Sequence, residues 1–337
     1  VQQVAIVVSL PTTAAVPTEV SIFYMGEFPP KELTAAELGE DNMTIQPGAL
    51  KKFLMPKGYD LEGSILTNKS FRISSLAPVT VHQFNPLNGV GVFTNDASLL
   101  LPSNVGGLEY YVMSWKQRTL GNTFRGGATI IATQEGTTSV QVWPSTSVLP
   151  GPGLPVMMEG GPYTIEMEQG DVANLETDGF QGADLTGTRI LADKKVNVFG
   201  NHECANIPEA TINYCDHVEQ QLFPVASWGK TYIADGFKPR NANQKDHWRI
   251  MAAENGTTVT LDPPVAGPFN LDKGEWTEFN HGDSFAINGS KPIQVGHYLH
   301  GSNYVGFSAT CGFGTGIGDP AFTMGIPTEQ YLDEYIV

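Results

Sequence analysis

The stretch that decides the fold is Ala128 to Pro144, ATIIATQEGTTSVQVWP, because it recurs at Arg249 to Pro263 as RIMAAENGTTVTLDP. Both copies run an apolar segment into a Gly-Thr-Thr turn and then an alternating segment closed by proline, which reads as a strand hairpin. Working outward, each copy is followed by a second hairpin whose later strand is apolar on alternate residues, as in Lys195-Val-Asn-Val-Phe and Pro292-Ile-Gln-Val-Gly. The same pattern stands upstream at Pro78-Val-Thr-Val-His. A polar loop and a closing tag complete each cycle: NDASLLLP ending at Pro102, DHVEQQLFP ending at Pro224 and DPAFTMGIP ending at Pro327. Self-similarity with a period of about a hundred residues predicts stacked supersecondary units rather than one catalytic cleft. The expected fold is all-β, with three related sandwich-like units over residues 1–117, 118–245 and 246–337, packed into one body.

Composition agrees with a β reading. The 37 glycines and 23 prolines punctuate short runs of Val, Ile, Thr and aromatic residues, the pattern of strands bounded by turns. Only Lys31 to Asp41 and the last dozen residues suggest short helices. The Pro/Gly-rich segment Pro144 to Pro162 reads as a surface loop, and the alternating glycines of Gly312 to Asp319 lack the following helix that a dinucleotide fingerprint requires.

A formal charge of -16, from 35 acidic against 19 basic residues, leaves no basic footprint for a nucleic acid. The same charge disfavours anionic lipid surfaces and serves solubility. No stretch approaches the ~18 apolar residues of a membrane span. Val1 heads no basic and apolar leader, so the sequence reads as a mature or excised chain. No nucleophile elbow, His-Glu-x-x-His or phosphate loop is present. Four sequons, at Asn42, Asn68, Asn255 and Asn288, would accept glycans only in a host that glycosylates secreted proteins.

The densest polar constellation is Asn201 to Gln221, NHECANIPEATINYCDHVEQQ. Cys204 and Cys215 are read as a disulfide with His202 and His217 as hydrogen-bonding neighbours, and the alternatives are zinc held through His-x-Cys and Cys-x-His or a pair of free thiols. Cys311 stands alone. Asp96, Asp216 and Asp319 fall near equivalent points of the three tags. They are candidates for calcium, against the simpler reading of aspartates that cap turns. Trp115 and Trp228 each follow a tag and are candidates for sugar platforms, against packing residues.

The stretch from Cys204 through CDHVEQQLFPVASWGKTY resembles the signature of the IgG-Fc-binding protein N-terminal domain family, which occurs in mucus-associated animal proteins and bacterial surface proteins. FRISSLAPVTVHQFNPL (Phe71 to Leu87), TNDASLLLPSN (Thr94 to Asn104) and GDPAFTMGIPTEQY (Gly318 to Tyr331) resemble it too, in order along most of the chain, while the first fifty residues match less clearly. The resemblance implies paired cysteines at 204 and 215 and an extracellular or cell-surface binding or adhesion module without enzymatic activity. Its partners would be proteins or glycans outside the cell. The alternative is a self-assembling structural subunit of an extracellular fibre, sheath or surface layer. Neither reading requires a cofactor.

Overall fold

The computed structural model describes residues 3–86, 94–242, 244–304 and 318–332. Cys311 and most of the alternating-glycine stretch lie outside them. Among the described residues there are only strands and four single-turn 3-10 segments, and no helix is long and apolar enough to cross a membrane. Of the two expected helices, the first is a 3-10 turn at Ala36–Leu38 with Lys31–Glu32 extended, and the described part of the last dozen residues holds a 3-10 turn at Thr328–Gln330, residues 333–337 lying outside the described residues.

The first hundred residues supply β1 (Ala5–Ser9), β2 (Thr18–Tyr24), β3 (Lys31–Glu32), β4 (Thr44–Ile45), β5 (Leu50–Leu54), β6 (Ile65–Thr67), β7 (Phe71–Ser75), β8 (Thr80–Asn85) and β9 (Asp96–Leu100). They form two small antiparallel sheets, β5-β1-β8-β9 and β3-β2-β4 with β7 on β2, while β6 crosses to pair with a later strand. Next come β10 (Gly107–Tyr111), β11 (Gly126–Ala132), β12 (Thr138–Trp143), β13 (Tyr163–Met167), β14 (Val172–Glu176), β15 (Arg189–Ala205) and β16 (Asp216–Gln221). The last set is β17 (Gly229–Ala234), β18 (Asp246–Ala252), β19 (Thr257–Asp262), β20 (Phe269–Leu271), β21 (Trp276–His281), β22 (Phe285–Leu299) and β23 (Ala321–Met324).

The second and third sets share one pairing order. In each, a long strand is the spine: β15 pairs with β10, β11, β12 and β16, and β22 with β17, β18, β19 and β23. The quoted stretches are therefore not hairpins. β11 and β12 lie end to end along one edge of β15, at Val196 to His202 and Arg189 to Ala192, and the Gly-containing turn between them carries the chain from one half of the spine to the other. The reason is burial: Ala128, Ile130 and Ala132 from β11 and Val140 and Val142 from β12 enter one core together with Ile190, Val196 and Val198. Backbone pairing between the two strands would put these side chains side by side in one sheet, whereas the curled ladder stacks them face to face.

β10 lies before the boundary expected at residue 117 yet hydrogen-bonds to β15, and β17 likewise precedes 245 and pairs with β22. The chain thus reaches each larger sheet through a strand that follows the preceding tag. The second core takes in Met251, Ala253, Tyr298 and Phe322 from the third sheet, so the two are joined by packing. Gly200 and Gly296 allow that approach. A Cβ at Gly200 would lie 1.8 Å from the Met113 carbonyl oxygen, and one at Gly296 would lie 2.1 Å from the Met113 sulfur.

Candidate functional site

The strap from Val112 to Gln117, running on from β10, crosses between the second and third sheets, and the polar residues converge on it. β18 is buried on both faces: Trp248, Ile250 and Ala252 enter the third core, so Arg249 and Met251 point the other way. Arg249 is 0% exposed. Its Nη1 donates to the Ser114 carbonyl and Thr186 Oγ1 at 2.8 Å each, and lies 2.9 Å from Asp184 Oδ2. Nη2 donates to Glu278 Oε2 at 3.1 Å. The guanidinium is sandwiched between Trp115 and Trp276, at 4.3 and 4.5 Å from the ring centroids. Burial pushes the Glu278 carboxyl up, but His247, Arg249 and Lys116 outweigh it and hold the group well below the usual carboxylate range. Trp276 also lines a shallow cleft of about 480 Å³ with Ser145, Thr186, Leu271 and Glu275.

Cys204 and Cys215 form a disulfide across the polar loop, which removes both thiolates from any zinc site. Burial pushes His202 down to about 3. As a neutral ring it donates from Nε2 to the Lys116 carbonyl and accepts the Cys204 N–H at Nδ1. His217 faces elsewhere, toward Asn85 and Glu219.

The tag aspartates gather where β9 meets β16. Asp96 accepts from the N–H groups of Ala97 and Glu219, and Asp216 accepts from that of Asn95. Burial drives Asp96 to about 7. Burial, with Asp319 and Asp96 nearby, drives Asp216 to about 8. These oxygens are committed to N–H donors that tie one strand to the next. Among the described residues no group of three or more His, Cys, Asp or Glu is placed to hold a metal ion.

Trp115 and Trp228 are buried, and their Nε1 atoms donate to the carbonyls of Asn206 and Phe223, so their rings face protein. The sequence reading did not single out Arg249, Asp184, Glu278 or Trp276. The available signal was a charged residue inside the apolar run of β18, because a buried charge requires partners.

With this geometry in hand, comparison places the chain. It belongs to the IgG-Fc-binding family: the profile described as IgGFc binding protein matches residues 96–337. It is also 22% identical over 316 residues to the human IgGFc-binding protein, an alignment covering 90% of this chain and 5% of the human protein. The resemblance to bacterial members of the family finds no support in these matches. No solved structure matches the chain.

Proposed function

We propose that the chain is a non-enzymatic binding module that works outside the cell and recognises glycoproteins or other macromolecules through its loops. Family membership over residues 96–337 carries this reading. The distribution of polar groups supports it, because the hydrogen bonds of Arg249, His202, Asp96 and Asp216 are made inside the fold. Apolar side chains instead face outward on loops: Phe180 is 80% and Leu120 48% exposed. Their loops are tied together by Gln181, which accepts from Thr119 and donates to the Gln117 carbonyl. Rigid loops with outward aromatic and aliphatic side chains are suited to anchoring a macromolecular partner. The disulfide supports an oxidising compartment.

The test is an array of glycans and glycoproteins that includes the Fc part of IgG, the ligand named for the human relative. Saturable binding to at least one glycoprotein, weakened about tenfold or more by a Leu120→Ser/Phe180→Ser variant, is the expected result. Turnover of a small substrate with no saturable macromolecular binding would overturn the proposal.

A further inference from the structure

Two closing tags feed a strand into a following sheet, and the two strands are built alike. Eight residues after Pro102 comes Tyr110, and eight after Pro224 comes Tyr232. Tyr110 stands opposite Ile190, donates its hydroxyl to the Val196 carbonyl at 2.8 Å and accepts the Gly107 N–H. Tyr232 stands opposite Ile287, donates to the Ile293 carbonyl at 2.6 Å and accepts the Gly229 N–H. The third tag continues the pattern in sequence, since Tyr335 lies eight residues after Pro327 in IPTEQYLDEYIV.

The receiving edge also recurs. Ile190 and Val196 on β15, like Ile287 and Ile293 on β22, are six residues apart, and so are Ile73 and Val79. β7 and β8 occupy the position of such a spine, interrupted at Leu76 to Val79: β7 pairs with β2, and β8 with β1 and β9. The strand that flanks β15 as β10 and β22 as β17 has no counterpart on β7 among the described residues. Burial records the gap. Ile190, Val196, Ile287 and Ile293 are each 0% exposed. Phe71, Ile73, Val79 and Val81 are only partly buried, and Leu76 beside them is 93% exposed. An open strand edge over a half-covered apolar face is a template for strand addition.

We propose that the outer edge of β7, continued to Val79, receives residues 332–337 of a second copy of this chain, joining copies head to tail by strand addition, while Pro327 to Gln330 stay on their own β17. The register follows from the two internal examples: Tyr335 lies opposite Ile73, with its hydroxyl on the Val79 carbonyl, and Glu334 lies opposite Ser74. One residue departs from the pattern. Leu332 stands where β10 and β17 carry Gly107 and Gly229, at each of which a Cβ would fall 2.2 Å from a tag proline, Pro224 or Pro327. Pro102 is the corresponding proline beside the open edge, so Leu332 makes entry tight and Leu332→Gly strengthens docking.

The full chain is tested by sedimentation velocity over a concentration series and by oxidative cross-linking of a Ser74→Cys/Glu334→Cys variant. The expected results are concentration-dependent association, weakened about tenfold or more by Tyr335→Ala, and a ladder of cross-linked multimers from the double variant that neither single variant gives. A monomer at every concentration, cross-links confined within one chain, or equal ladders from the single variants would overturn the proposal.

Discussion

Replacing Arg249 by methionine keeps most of the side-chain volume and removes the charge. The cost can be worked through partner by partner. Glu278 retains His247 and Lys116. The Ser114 carbonyl retains the Tyr298 hydroxyl, and Thr186 Oγ1 retains the Ser114 N–H. Asp184 is different: its side chain is 8% exposed, and Arg249 is the cation paired with Oδ2. Stranding one member of a buried pair costs about 3–5 kcal/mol, whereas replacing both by apolar groups is often neutral. Arg249→Met is therefore expected to lose about 3–5 kcal/mol in equilibrium urea unfolding followed by tryptophan fluorescence. Arg249→Met/Asp184→Leu should recover most of that loss. Arg249→Lys should not restore wild-type stability, because an ammonium replaces neither the fork nor the stack between two indoles. A single variant within about 1 kcal/mol of wild type, or a double variant no more stable than the single, would refute the reasoning.

The remaining predictions concern the disulfide, the tyrosines and the acidic junction. Cys204→Ser releases a loop of sequence separation 11 and should cost about 2 to 3 kcal/mol in the same urea assay, the scale expected for so short a loop. Tyr110→Phe strands the buried Val196 carbonyl and should cost about 1–3 kcal/mol, with Tyr232→Phe matching it at Ile293. The folded-state values of Asp96 and Asp216, about 7 and about 8, lie above the ordinary carboxylate value. Their favourable contribution is thus fully present below about pH 4 and is lost as pH rises through 7 to 8. Asp216→Asn should flatten the fall in unfolding free energy between pH 5 and 8, read from urea midpoints, and an unchanged slope would count against the burial argument.

The sequence showed where the strands are more clearly than it showed their partners. Tyr163–Met167 and Val172–Glu176 are legible as strands in the sequence itself, because apolar runs and flanking turn residues are local signals. The Gly-Thr-Thr turn between β11 and β12 looked like a hairpin because a tight polar turn between apolar strands serves equally well to carry a chain between layers. The charged run Asp193 to Lys195 carries no local strand signal, yet β15 continues through it, with Asp193 accepting the Ser139 N–H and Lys194 and Lys195 reaching loop carbonyls. Cys204 and Cys215 were legible as a pair. The Arg249 cluster was not, since Asp184 comes from the loop between β14 and β15, Arg249 and Glu278 come from two strands of the third sheet, and their meeting is set by long-range packing.

The distance along the chain between β10 and its partner bears on synthesis. Tyr110 and the Val196 carbonyl it binds are 86 residues apart. At ~5–20 residues per second, the tyrosine leaves the ribosome roughly 4 to 17 s before its acceptor exists. During that interval the strand LEYY and the strap behind it, with Met113 and Trp115, carry apolar surface that no other finished part of the chain is built to cover. A shorter delay, over 61 residues, recurs between β17 and β22. A nascent chain of this design needs protection at two moments of its emergence, each ending when a spine strand arrives.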